Sequence, residues 1–98
     1  NDVRRDFVRP ESATVATEIV TSCLASHNGP EALFGPAPAL NPHVRFRDNA
    51  HAGYVLFDIR HNRIEGSLRA VSDLADPHAS CRDLRTFAID DRRPGAFL

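Results

Sequence analysis

Lysine, methionine and tryptophan are all missing from this chain, and tyrosine occurs once. All twelve basic residues are therefore Arg, which codon bias in a GC-rich genome would produce. The functional alternative is a set of guanidinium forks for phosphate or carboxylate. The Arg residues are scattered, however, and most alternate with acids, as at Arg82-Asp83 and Asp90-Asp91-Arg92-Arg93. That pattern belongs to a solvated surface. A net charge of −1 argues against nucleic acid as the main partner. No apolar run approaches the roughly 20 residues that span a bilayer, and no secretory leader pattern stands at the start; the reading is no membrane partner. Glycine-rich nucleotide loops, HExxH and CxxC are also lacking. The two cysteines, Cys23 and Cys81, have no metal-ligand spacing. They read either as a disulfide of an exported protein or as two buried thiols. The chain opens on Asn1-Asp2 and not on Met, which reads as a processed product or a piece of something longer.

What is present is ordinary globular composition, 42% hydrophobic and 26% charged. Ninety-eight residues make one domain or a domain fragment. A chain of that size buries only about 60–65% of its unfolded surface. Residues 1–12 are charged, end on a Pro10 break and read as a connector leading into the domain. Residues 13–98 read as strand, loop, hairpin and strand. Segment 13–23 is dense in β-branched residues, which favours a strand. Residues 24–40 form a long loop rich in Pro and Gly, with one helical turn at 31–34 after Pro30. Residues 41–52 start with Asn41 as a cap and Pro42 after it, giving a turn or a single helical turn, then an extended approach to Gly53.

The hairpin at 53–73 organises the rest. Residues 54–59 are apolar on both alternating faces, which suits a central strand covered on both sides. In 64–71, Ile64, Leu68 and Ala70 share one face, and Glu65, Ser67 and Arg69 the other. Residues 60–63 form the turn, with Asn62 able to take a left-handed conformation. Residues 81–90 alternate in part and read as a last strand. The closing residues, with Pro94-Gly95, read as an irregular tail. The expected fold class is mainly β with short helical turns (α+β), with about four mostly antiparallel strands.

Chemistry is thinly marked. The five His, at 27, 43, 51, 61 and 78, all fall in or beside loops. A triad of Ser22, His43 and some Asp has no nucleophile elbow around it. Asn41-Pro42-His43 is the most pointed feature: Asn and His on a fixed turn can hold a water or a phosphate oxygen. The plain alternative is a cap followed by a surface His.

The order Phe7, SATVATEIVTS at 12–22, NPHVRF at 41–46, GYV at 53–55 and RAVSD at 69–73 resembles the C-terminal part of the PhoD-like alkaline phosphatases (the alkaline phosphatase D family). Asp91-Arg92-Arg93-Pro94-Gly95 is similar to the end of that family. Cys23 departs from the small or polar residue of the pattern, and Arg60-His61-Asn62 stands in place of a Thr-Pro-Glu turn. The resemblance implies a phosphate-ester hydrolase with two stacked sheets flanked by helices. It implies a metal site of iron and calcium or similar ions, held by a Gly-Asp-x-His type motif upstream of the matched region. Within these 98 residues it implies no catalytic residue, no metal ligand and no cofactor, and an exported enzyme. Asn41 and His43 would border the substrate site.

A strand apolar on both faces needs more cover than four strands supply. The expected partner is the upstream part of the same enzyme, or a homodimer mate, covering an apolar sheet face. A free-standing β-rich binding or dimerisation module without catalysis is the competing reading, and a small hydrolase using Ser22 or His43 is the third.

Overall fold

A computed structural model describes residues 1–23, 26–27, 29–30 and 40–98. In chain order the strands are β1 (Asp2–Arg4), β2 (Thr14–Thr17), β3 (Gly53–Ile59), β4 (Arg63–Val71), β5 (Cys81–Asp90) and β6 (Arg93–Phe97). β1 and β2 pair as a short antiparallel ribbon, and β3-β4-β5-β6 form an antiparallel meander in that spatial order. The fold is mainly β, as the alternation predicts. The helical turn expected at 31–34 lies outside the described residues.

Register sorts the side chains. Val55, Phe57 and Ile59 of β3 lie beside Leu68, Gly66 and Ile64 of β4, and these beside Arg85, Phe87 and Ile89 of β5. Directly opposed residues share a face, so this face is apolar. Its centre is Phe87, 7% exposed, whose ring lies over Gly66 so closely that a Cβ there would run into it. Phe57 meets that ring edge-on, with centroids 6.1 Å apart. The opposite face carries Tyr54, Leu56 and Asp58, then Arg69, Ser67 and Glu65, then Asp83, Thr86 and Ala88. A bulge leaves Leu84 unpaired, because Leu68 opposes Arg85 while Arg69 opposes Asp83.

The core is thin. Among the described residues the buried apolar side chains are Ala52, Ala70, Phe87 and Ala88. The ribbon lies against β6, where a Cβ on Gly95 would stand 3.5 Å from Thr14 Cγ2 and 3.6 Å from Asp2 Oδ1. Gly95 has φ 104°, a conformation that glycine alone adopts freely.

Several expectations are corrected. β3 is not a central strand but the edge of its sheet, with Phe57 44% and Ile59 72% exposed. Six strands are described where about four were expected. The segment read as a connector contains β1, stabilised by pairing with β2. The strand read over 13–23 is confined to Thr14–Thr17, the stretch its short partner can pair. The tail is a strand, because Pro94 and Gly95 sit in the last strand of the sheet, where a missing N–H leaves no inner ladder broken. The left-handed residue is Arg92 (φ 60°), in the β5–β6 turn, and not Asn62. Asn62 instead accepts at its carbonyl from Asp91 N at 2.9 Å.

Candidate functional site

Asn41-Pro42-His43 forms a turn closed by Val44 N donating to Asn41 O at 2.9 Å. The His43 carbonyl accepts from Asp2 N at 2.7 Å, so the turn is pinned to β1. The His43 ring meets Phe7 edge-on, 5.0 Å between centroids and 77° between planes. Both Asn41 and His43 are half-buried. Asp2 beside them is 5% exposed, and its Oδ2 lies 3.3 Å from Arg45 Nη1. A buried carboxylate needs such a partner.

A cavity of about 440 Å³ opens elsewhere, over the apolar face of the sheet. Residues 17–22 and 44–49 wall it, Leu68 and Phe87 line it, and Ser22, His51 and Tyr54 add polar groups. Neither Asn41 nor His43 lines it. Ser22 lines this cavity and His43 does not. The Ser22 hydroxyl accepts from Gly53 N at 3.0 Å and anchors the start of β3.

A feature that sequence reasoning missed is the row Asp48–His51–Arg82. Asp48 Oδ1 accepts from Ala50 N and His51 N at 3.1 and 2.9 Å, forming a tight local turn. His51 Nδ1 lies 3.0 and 3.1 Å from the two Asp48 oxygens. His51 Nε2 is 3.1 Å from Arg82 Nη2. A guanidinium has no acceptor, so Nε2 accepts and the ring proton is on Nδ1, donated to Asp48. This is the orientation of a carboxylate-held imidazole. Its outer nitrogen meets Arg82, and so it ties residues 48–51 to β5. The only sequence signal was an Asp three residues before a His in a turn.

The polar face holds rows of ions. Arg69 Nη1 bonds Asp83 Oδ1 at 2.8 Å, with Tyr54 and Cys81 beside it. Arg63 Nε bonds Asp90 Oδ1 at 2.6 Å, and its guanidinium lies over Phe97. The hydrogen bond and charge of Arg63 hold the Asp90 carboxyl below the usual range, and Arg60 does the same to Asp58. Each partner Arg is pushed up by the same bond.

Among the described residues no three His, Cys, Asp or Glu converge as a metal site. Asp48 and His51 face each other and Arg82, so they do not fit a cation either. The family resemblance puts its iron and calcium upstream of these residues, and the described residues offer no donor set for them. No protein-family model, curated protein or solved structure matches the chain.

Proposed function

We propose that this chain is the C-terminal, structural part of a phosphate-ester hydrolase resembling alkaline phosphatase D, with the metal site carried by upstream sequence. The observation that carries the reading is the corner at His43. Phe7 and the Asn41-Pro42-His43 turn, both part of the resemblance, meet at a ring contact of 5.0 Å. A hydrogen bond from Asp2 N to the His43 carbonyl also ties that turn to β1. A turn gripped from two sides is a fixed support for side chains at the rim of a neighbouring site. The thin core adds support, since a sheet with one large buried side chain needs further cover.

In this reading the chain performs no chemistry itself. It supplies a sheet against which the catalytic part packs, and Asn41 and His43 border the substrate. The longer enzyme, expressed with its upstream sequence, should hydrolyse p-nitrophenyl phosphate or its diester in a metal-dependent way. The 98 residues alone should not. His43→Ala in the longer enzyme should lower turnover while leaving its melting temperature near that of the parent. Unchanged turnover removes His43 from the site border, and an upstream sequence without a Gly-Asp-x-His motif or any esterase activity overturns the reading.

A second reading, a β-rich dimerisation module without catalysis, is favoured by one observation, the unpaired edge of β3.

A further inference from the structure

We propose that the outer edge of β3 is a self-association site, at which two copies of the chain pair β3 with β3, antiparallel, about a two-fold axis at Phe57. This concerns the strand edge and not the sheet face, and it does not rest on the phosphatase reading.

Backbone geometry defines the edge. Arg60 N donates to Arg63 O, and Val71 N donates to Ala52 O. Antiparallel partners exchange bonds at alternate residues. Residues 52, 54, 56, 58 and 60 therefore direct their backbone groups to β4, and 53, 55, 57 and 59 direct theirs outward. Gly53 N is taken by the Ser22 hydroxyl. Val55, Phe57 and Ile59 remain, and no described strand pairs with them.

Among the described residues, the edge from Val55 to Ile59 has no proline, no bulge and no paired strand. β3 has no Pro and no Lys. Its register with β4 runs without a bulge from Gly53 to Ile59. Its one charge, Asp58, is paired with Arg60 at 2.8 Å. The other edge of the sheet is blocked. β6 contains Pro94, which has no N–H, and Gly95 at φ 104°; its register with β5 is broken, and the β1–β2 ribbon lies against it. One open edge and one blocked edge exclude head-to-tail growth. A two-fold pairing of like edges closes on itself.

The register follows from the free groups. Centring on Phe57 opposes Phe57 to the partner's Phe57 and Val55 to the partner's Ile59. All three outward residues of each copy then bond. Centring on Leu56 would instead require Gly53 N, which is occupied. In the Phe57 register the apolar face continues through Val55, Phe57 and Ile59 across the junction. On the polar face Tyr54 opposes the partner's Arg60, a cation–π pairing. Two sheets of four strands become one of eight.

The experiment is light scattering after size exclusion of the 98-residue chain over a wide concentration range. The expected mass is twice 10.8 kDa. Ile59→Pro removes an outward N–H that β4 does not use, and it should give a monomer with the β-sheet circular dichroism retained. Phe57→Cys, with Cys23→Ser and Cys81→Ser, should cross-link to itself under diamide, because opposed Cα atoms in such a pair lie about 5.5 Å apart. A monomeric parent chain overturns the proposal. So does a dimer that Ile59→Pro leaves intact. Should Ile59→Pro fail to fold, the absence of a cross-link in the Phe57→Cys variant overturns it by itself. Phosphate-ester hydrolysis by the longer enzyme is a separate readout, so either proposal can fail without the other.

Discussion

The two faces of the meander are made by the same strands and held by different forces. On one, Phe87 lies over Gly66 and takes Phe57 against its ring. On the other, Arg69 meets Asp83 and Arg63 meets Asp90 across neighbouring strands. The apolar face has few alternatives, because a ring seated on a glycine has one place to go. The ionic face is open to water, so each pair exchanges solvent contacts for ionic ones at little net gain. Stability is therefore concentrated on the first face, and the second face sets strand neighbours and responds to conditions.

Phe87→Ala should break the comparison most visibly. Removing the one large side chain buried among the described residues should cost about 3–5 kcal/mol in urea unfolding. A cost under about 1 kcal/mol, the level of a surface pair, would move the core elsewhere. Gly66→Ala comes next. Its Cβ would enter the space of the Phe87 ring, and the expected loss is about 1–3 kcal/mol, with the near-ultraviolet signature of Phe disturbed. A neutral result would show that the ring has room to move.

The ionic face should respond to acid. Arg63 and Arg60 depress the folded-state pKa of Asp90 and Asp58. Groups shifted that way stabilise the fold above their unfolded value, about 3.9. The contribution fades as pH falls from there through the folded value. Asp90→Asn should flatten the acid limb of the unfolding midpoint against pH, and carboxyl carbon NMR should place Asp90 below a free Asp. A curve unchanged by Asp90→Asn would remove that pair from the acid response. The smallest effect belongs to Arg69→Met, whose loss should shrink in high salt as an exposed pair requires. A loss indifferent to salt would assign Arg69 a packing role, through its stem, and not an ionic one.

The hairpin of β3 and β4 was legible because alternation reports directly on which residues share a face. Ile64, Leu68 and Ala70 fall where that pattern places them. The same pattern misled at β3, because apolarity on both faces says nothing of which edge is paired. β6 was hidden by Pro94 and Gly95, which break an inner strand but are tolerated in an outermost one. β1 was hidden by its length: three residues carry too little pattern to register. Of the candidate site, the turn at Asn41 and Pro42 was readable from cap chemistry. Its anchoring by Asp2 and Phe7 was not, since both lie far away in sequence. The Asp48–His51 pair had only local spacing to announce it.

Asp2 has a consequence for the order of folding. Its amide holds the His43 turn, its carboxylate approaches Arg45, and the same carboxylate stands beside the backbone of Gly95. One residue near the start thus joins the middle of the sequence to the last strand. Contacts between such distant points form late, because the loops they close must be ordered first. The β3–β4–β5 meander, whose pairings are local, can assemble before residue 95 exists. The junction at Asp2 cannot. It waits for the last strand, and when it is made the contact of Asp2 with Gly95 is added to a β1 that already pairs with β2.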